Sequence, residues 1–227
     1  MTERAVAVYG RKLLTEVAAK ELLRAQSIPV VPTSFARSPA EAVRLAKQLG
    51  LPAALKVVSP DIVHKSDVGG VRLHLTNLTQ VSNAYREVLA QVRTHVPHAT
   101  IEGVAVQTMA SPGIEVVAGL TRDQTFGPVV MFGLGGVFVE ILNDVAFRVV
   151  PLQPKDARAM IREIRGFPIL QGYRGGMPAA DLNALEDILL KLSKLAEQRP
   201  EISEVDLNPV FAYPVGALAV DARIVLT

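Results

Sequence analysis

The sequence predicts an α+β protein, and three observations carry that expectation. Helix-period and strand-period segments alternate as short units through the first hundred residues. From residue 103 the strands follow one another without a helix between them: GVAVQTM, GIEVVAGLT, GPVVMF, VFVEIL and AFRVVPL. Helical patterns return near 154–164 and 182–197, before a last β-rich stretch. Runs of strands followed by runs of helices fit α+β lobes better than a doubly wound sheet. The change of texture near 103–110 divides the chain into an N-terminal lobe, 1–105, and a C-terminal lobe, 106–227.

Each element has its own signal. Leu13, Leu14, Val17, Ala18, Leu22 and Ala25 form one helical stripe over 13–26, started by Thr15. IPVVPTSFA reads as a short strand interrupted by prolines. Ser38-Pro39-Ala40-Glu41 is a capping box with proline at the first helical position, and Gly50 closes that helix. AALKVV and VRLHL are strands on either side of a glycine pair. Asn77 caps a helix whose apolar face holds Val81, Ala84, Tyr85, Val88, Leu89 and Val92. Asp181 caps the helix of 182–197, and GFPILQGYRGGMP, 166–178, reads as a loop. The end of the chain, EISEVDLNPVFAYPVGALAVDARIVL, gives two or three strands with turns at the prolines and Gly216.

Composition excludes several function classes. Twenty-four basic residues stand against 22 acidic ones, and no basic block concentrates the net charge of +2, so a nucleic-acid partner is not expected. Trp is absent and aromatics make up only 5%, which leaves no stacking platform for single strands. The absence of Cys excludes disulfides and thiolate chemistry and fits a reducing cytoplasm. MTERAVAVYGRKLL lacks the apolar core of a signal peptide. The longest apolar run, VVMFGLGGVFV, stops at Glu140, well short of the ~20 residues of a membrane span.

Two constellations stand out. Lys56 lies inside the apolar AALKVV, where an ammonium either snorkels to water or meets an anion. The following HKSDVGGV adds His64, Lys65 and Ser66, then Gly69 and Gly70, whose amides can approach a ligand closely. Amides and lysines together are what a polyphosphate needs, although the glycines alone also suit a hairpin turn. In the second constellation Asp206 and Asn208 alternate on one strand face. Pro209 ends the pairing there, and Asp221 sits on the next strand, in LAVDARI. Hard oxygen ligands on adjacent strands suit Mg²⁺, and carboxylates at strand ends equally cap turns.

Other features are less telling. VVMFGLGGVFVE carries Gly133, Gly135 and Gly136 after a strand, but it lacks the third glycine and the helix of a dinucleotide fingerprint. Glu115 and Glu140 occupy alternating positions in apolar strands, and Arg148 poses the same puzzle with opposite sign. An internal Glu–Arg pair or a substrate role accounts for them. Ser59 and Ser66 have no visible triad partners.

Taken together, LPAALKVVSPDIVHKSDVGGVRL, GIEVVAGLTRDQTFGPVVMFGLGGVFVEILNDVAFRVVPL, GYRG and EVDLNPV resemble an ATP-grasp domain, specifically the β subunit of ADP-forming acyl-CoA (acetyl-CoA) synthetases. The resemblance covers nearly the whole chain. It implies an ATP-grasp fold of two α+β lobes holding ATP between them, with ATP/ADP and Mg²⁺ as cofactors. The implied reaction is acyl-CoA + ADP + phosphate ⇌ acid + ATP + CoA.

The resemblance also implies residue roles. Lys56 would contact the nucleotide phosphates, with Lys65, Ser66 and the Gly69-Gly70 loop closing over them. VAVQTMA would read adenine, with Gln107 and Ala110 at the contact positions, and Glu115 would hold the ribose hydroxyls. Asn208 and Asp221 match the family's Mg²⁺ ligands, and Asp206 stands where related succinyl-CoA synthetases carry glutamate. His64 occupies the place of a proposed phosphohistidine relay, a task a neutral imidazole can perform, or it donates a hydrogen bond to phosphate.

Against the fused members of that family, the CoA-binding domain, the ligase domain and the main phosphohistidine loop are expected to lie on another polypeptide. The chain is therefore expected to need a CoA-binding α subunit, as α₂β₂. A nucleotide-sensing module without turnover and a ligase joining a carboxylate to an amine are the alternatives.

Overall fold

In the computed structural model, which describes residues 5–8, 11–62, 64–136, 143–172 and 178–227, AALKVV becomes an inner strand of a 4-stranded antiparallel sheet. The strands are β3 (Thr33–Ala36), β4 (Ala53–Val58), β5 (Val71–Leu75) and β6 (Gly103–Thr108), in the order β3-β6-β4-β5. Every residue of β4 is buried, as expected of a strand paired on both edges. Two helices, α2 (Pro39–Leu49) and α3 (Leu78–His95), pack beside the sheet. Ala42, Leu45 and Ala46 of α2 and Val81, Ala84, Tyr85, Val88 and Val92 of α3 share a core with Leu55, Val57, Val104 and Val106.

The capping signals hold, with one change of partner. Ser38 Oγ accepts from the Glu41 amide at 3.2 Å, while the Glu41 carboxylate accepts from the amide of Arg37 rather than that of Ser38. Asn77 Oδ1 accepts from the Gln80 amide at 2.9 Å, and Gly50 caps α2 at φ +106. That left-handed backbone is the reason for glycine there.

These elements belong to one of two compact units, made of Met1–Lys20 and Val31–Ser111; the other holds Glu21–Val30 and Pro112–Thr227. The division falls inside α1 (Glu16–Ala25). Ahead of it, β1 (Ala5–Val8) and β2 (Arg11–Leu14) pair as an antiparallel hairpin, from Ala5 opposite Leu14 to Val8 opposite Arg11. The helix expected from residue 13 therefore begins at Glu16, because Leu13 and Leu14 are strand residues. Thr15 starts it as expected: its Oγ1 accepts from the Ala18 amide at 3.3 Å. The stripe that α1 buries differs from the expected one. It is Glu16, Ala19, Lys20 and Leu23, at i, i+3, i+4 and i+7.

In the second unit β12 (Arg223–Leu226), β10 (Ile202–Ala212), β7 (Ile114–Asp123), β8 (Gly127–Leu134) and β9 (Val145–Val149) lie side by side in that order, and β11 (Ala217–Ala219) pairs with β10. Helices α4 (Pro154–Glu163) and α6 (Leu182–Gln198) pack beside it, joined by Arg158 to Glu186 at 3.1 Å. The short helix α5 (Phe167–Leu170) forms inside the stretch read as a loop. Asp181 caps α6 through the Ala184 amide, 3.1 Å away. At the other end of α6 the Arg122 guanidinium donates to the carbonyls of Ala196 and Arg199, which the helix end leaves open, and to that of Ile202 at the start of β10.

Pro209 does not end the pairing of β10, which continues to Ala212 through a register shift between Leu207 and Val210. The bulge changes which residues face inward: Ser203, Val205 and Leu207 are buried before it, Val210 and Ala212 after it. Asp221 sits in the connection between β11 and β12 rather than on a strand. The strand expected over VFVEIL, with Glu140, and all of GYRG after Gly172 lie outside the described residues.

Gly103 marks the tightest backbone approach in the first unit. A Cβ there would stand 2.4 Å from the Ala36 carbonyl oxygen and 2.8 Å from Phe35 Cζ. Gly103→Ala is expected to cost about 1–3 kcal/mol, because the obstructing atom belongs to a paired strand. The midpoint of urea unfolding measures this; an unchanged midpoint would mean that β3 and β6 separate there without loss.

Candidate functional site

Glu16 opens α1, where a carboxylate is favoured by the helix dipole, and it is buried. Three lysines reach it. Lys20, one turn on, lies 2.8 Å from Oε1; Lys56 of β4 lies 2.8 Å from the same oxygen; Lys65, in the loop after β4, lies 3.0 Å from Oε2. Lys20 continues inward, donating to Thr33 Oγ1 at 3.1 Å and to Gln107 Oε1 at 2.8 Å. An ammonium has three protons, and here it meets three acceptors. Thr33 passes its own proton to the Val31 carbonyl at 2.9 Å. Burial pushes the Glu16 carboxyl up, but the ammoniums of Lys56, Lys20 and Lys65 outweigh it and hold the group well below the usual carboxylate range.

The three lysines differ in exposure. Their side chains are 1%, 9% and 24% exposed for Lys20, Lys56 and Lys65. Lys56 therefore neither snorkels to solvent nor lies unpaired; it meets a carboxylate from α1. Sequence reading missed Glu16, Lys20 and Thr33. The signal available was the i, i+4 pair Glu16–Lys20 on the same face as Ala19 and Leu23.

The loop after β4 is a closed turn. Gly70 N donates to Lys65 O at 2.7 Å and Gly69 N to Ser66 O at 3.1 Å, so both amides are engaged inside the loop. Gly69 has φ +68, and a Cβ on Gly70 would stand 2.6 Å from Val57 Cγ1 and 2.8 Å from the Lys65 carbonyl oxygen. Arg72 donates to the Gly69 carbonyl at 3.2 Å and holds the turn from β5. What the loop presents outward is side chains: His64 and Ser66 are exposed and Lys65 half-buried. Gln107 is buried, its carbonyl oxygen taken by Lys20, and Ala110 is half-buried two residues beyond β6.

The acidic residues of β10 belong to the second unit. Glu204, Asp206 and Asn208 share the outward row, with Asp206 opposite Arg223 of β12. Burial raises the Asp206 carboxyl, as do Glu204 and Asp221, while Arg223 opposes them. Asp221 is thus within electrostatic reach of Asp206, and its Oδ1 accepts from the Ala222 amide at 2.9 Å. Among the described residues no three His, Cys, Asp or Glu side chains gather as a metal cage. A pair of carboxylates with an exposed amide fits instead a cation that keeps much of its water, as Mg²⁺ does. The raised Asp206 carboxyl marks a place where a divalent charge would offset repulsion.

Glu115, on β7 opposite Phe211, is exposed and needs no internal partner. Arg148 pairs with Glu163 of α4, so a Glu115–Arg148 pair does not form. The glycines after β8 have a local role. Gly135 N donates to the Glu115 carbonyl at 2.8 Å, and Gly136, at φ +60, passes within 3.3 Å (from its would-be Cβ) of Glu115 Oε2. Gly135 and Gly136 thus pass closely over Glu115.

The chain belongs to the ATP-grasp family: the model of the ATP-grasp domain matches residues 5–226. Within that family it is similar to β subunits of ADP-forming acetate–CoA ligases. Acetate–CoA ligase [ADP-forming] I subunit beta of Pyrococcus furiosus is 48% identical over 94% of this chain and 91% of that one. The acetate–CoA ligase [ADP-forming] I of Archaeoglobus fulgidus is 47% identical over 90% of this chain, which spans only 30% of that longer protein. The structure of acetyl-coenzyme A synthetase 1 from Ca. Korarchaeum cryptofilum, solved with coenzyme A and Ca-AMPCP, superposes with a TM-score of 0.93, at 49% identity over 96% of this chain and 95% of the other. The expected α+β, ATP-grasp fold class is borne out by these matches. No described helix is long and apolar enough to cross a membrane.

Proposed function

We propose that the chain is the nucleotide-binding β subunit of an ADP-forming acyl-CoA synthetase, catalysing acyl-CoA + ADP + phosphate ⇌ carboxylic acid + ATP + CoA with a CoA-binding α subunit. The observation that carries this reading is the convergence of Lys56 and Lys65 on one carboxylate, which holds two ammoniums side by side. Phosphoryl transfer asks for that: fixed positive charge where phosphate oxygens sit, set before the substrate arrives. The identity to a named β subunit over nearly the whole chain supports the reaction, and the name itself supports a second subunit.

In this reading Lys56, Lys65 and Ser66 bind the phosphates, and the Gly69-Gly70 turn sets the loop that carries them. The end of β6, through Gln107 and Ala110, serves the adenine, and Glu115 the ribose hydroxyls. Asn208 and Asp221 hold Mg²⁺, which supplies charge neutralisation to the phosphates, and Asp206 orients beside them. Exposed His64 is available to accept a phosphoryl group through a ring nitrogen and pass it to a histidine of the α subunit. The assembly is α₂β₂ and cytoplasmic.

Isothermal titration of the chain with MgADP and MgATP tests the core of the proposal. Binding of both is expected, with no acyl-CoA formed until the α subunit is added. Absence of any heat of binding with Mg²⁺ present would overturn it. Phosphate exchange between ATP and ADP in the reconstituted complex separates a catalytic subunit from a nucleotide sensor.

A further inference from the structure

We infer that Glu16 is a positioning residue for phosphate recognition, its one carboxylate oxygen fixing Lys56 and its other holding Lys65 in a releasable place. This rests on the reading that Lys56 and Lys65 bind phosphate. Glu16 itself touches no nucleotide; it acts through the two lysines.

The two oxygens are loaded differently. Oε1 is shared by Lys20 and Lys56, both at 2.8 Å, and Lys20 is tied in turn to Thr33 and Gln107. That side of the carboxylate is braced from α1, β3, β4 and β6 together. Rotating it would break several buried charge-assisted hydrogen bonds at once. Oε2 receives Lys65 at 3.0 Å, from a loop whose lysine is the most exposed of the three.

The carboxylate therefore has a braced edge and an open edge. Lys56 is held on the braced edge, at a point the strand and the helix define. Lys65 on the open edge can exchange the carboxylate for a phosphate oxygen, since both are anionic acceptors of the same ammonium, and return when the phosphate leaves. Glu16 thus stands in for phosphate on the loop and keeps Lys65 in place between turnovers. Gln107 extends the brace to the strand that serves the adenine, so one buried chain of contacts sets both ends of the nucleotide site within this unit.

Two measurements on the full chain, made on Glu16→Gln and Glu16→Asp, test this. Glu16→Asp keeps the charge and withdraws the oxygens by about 1.5 Å, one carbon–carbon bond. It decides the matter should the amide variant not fold. The first measurement is the acetylation rate of each lysine, read by mass spectrometry. Lys65 is expected to react several-fold faster than in the parent protein, with exposed Lys194 unchanged. The second is MgADP affinity by isothermal titration, expected to fall about tenfold in the folded variant, equivalent to about 1.4 kcal/mol.

Both changes together support the inference. A folded variant with parental MgADP affinity, or with parental Lys65 reactivity, overturns it and leaves the nucleotide-binding reading standing. A merely structural role would lower the melting temperature of the folded variant and leave its Lys65 reactivity and MgADP affinity at parental values. Failure of the parent protein to bind MgADP would instead remove the reading on which the inference rests.

Discussion

Lys56→Met is expected to lower the affinity for MgADP by about 100-fold. A hydrogen bond from an ammonium to a phosphate oxygen contributes about 1.5–3 kcal/mol, and each 1.4 kcal/mol is about a factor of ten. Methionine is chosen because all six residues of β4 are buried and an unbranched apolar side chain can follow the lysine stem. Arginine is the worse test. Its guanidinium is bulkier and planar, and a buried slot shaped for an ammonium would confound size with charge.

The cost to folding should be small by comparison. After the change Glu16 keeps Lys20 on Oε1 and Lys65 on Oε2, so no buried carboxylate is stranded. Titration calorimetry measures the affinity and thermal melting the fold. A well-folded variant with parental affinity would reduce Lys56 to an internal counter-ion of Glu16.

What the sequence disclosed followed the strength of its local patterns. The period-3.6 faces of α2, α3 and α6, each with its capping residue, were legible because an amphipathic stripe and a cap are both written locally. So were β4, β6 and β7. The hairpin of β1 and β2 was not, since AVAV and RKLL are too short for alternation to register against the helical stripe beginning at Leu13. Strand β10 ran past Pro209 because a bulge absorbs the missing donor, a tertiary accommodation that composition does not announce.

The candidate site was half visible. Lysines inside apolar runs flag themselves, so Lys56 was found, and the family motif brought Lys65 with it. Glu16 and Lys20 were hidden for the opposite reason. On a helix an i, i+4 Glu–Lys pair is the ordinary signature of a solvated face. Only the fold shows that this face turns inward, and that the apolar Val17, Ala18 and Leu22 are the partly exposed ones. The glycine pair was read as a source of free amides, but both N–H groups close the turn on Lys65 and Ser66. The glycines are there for left-handed backbone and for close packing on Val57.

Lys20→Met should do to stability what Lys56→Met does to binding. Lys20 is fully buried and is the donor to three buried acceptors, Glu16 Oε1, Thr33 Oγ1 and Gln107 Oε1. Glu16 keeps Lys56 on Oε1 and Lys65 on Oε2, but Thr33 Oγ1 and Gln107 Oε1 lose their donor, and each buried acceptor left unsatisfied costs about 1–3 kcal/mol. For a chain of this size that is a fall in Tm on the order of 10 °C. The acid side of the stability curve should move too. The Glu16 carboxyl is held well below its ordinary value, so its contribution is complete above the unfolded-state value, about 4.3, and is lost as pH falls through the lower folded-state value. Taking away one ammonium raises the folded-state value, so the variant should begin to unfold at a higher pH than the parent protein. Far-UV circular dichroism against temperature and against pH reads both effects in a chain without Trp. Identical melting and identical acid limbs would mean that the Glu16 network contributes nothing to folding, and that Lys56 and Lys65 are positioned by the backbone alone.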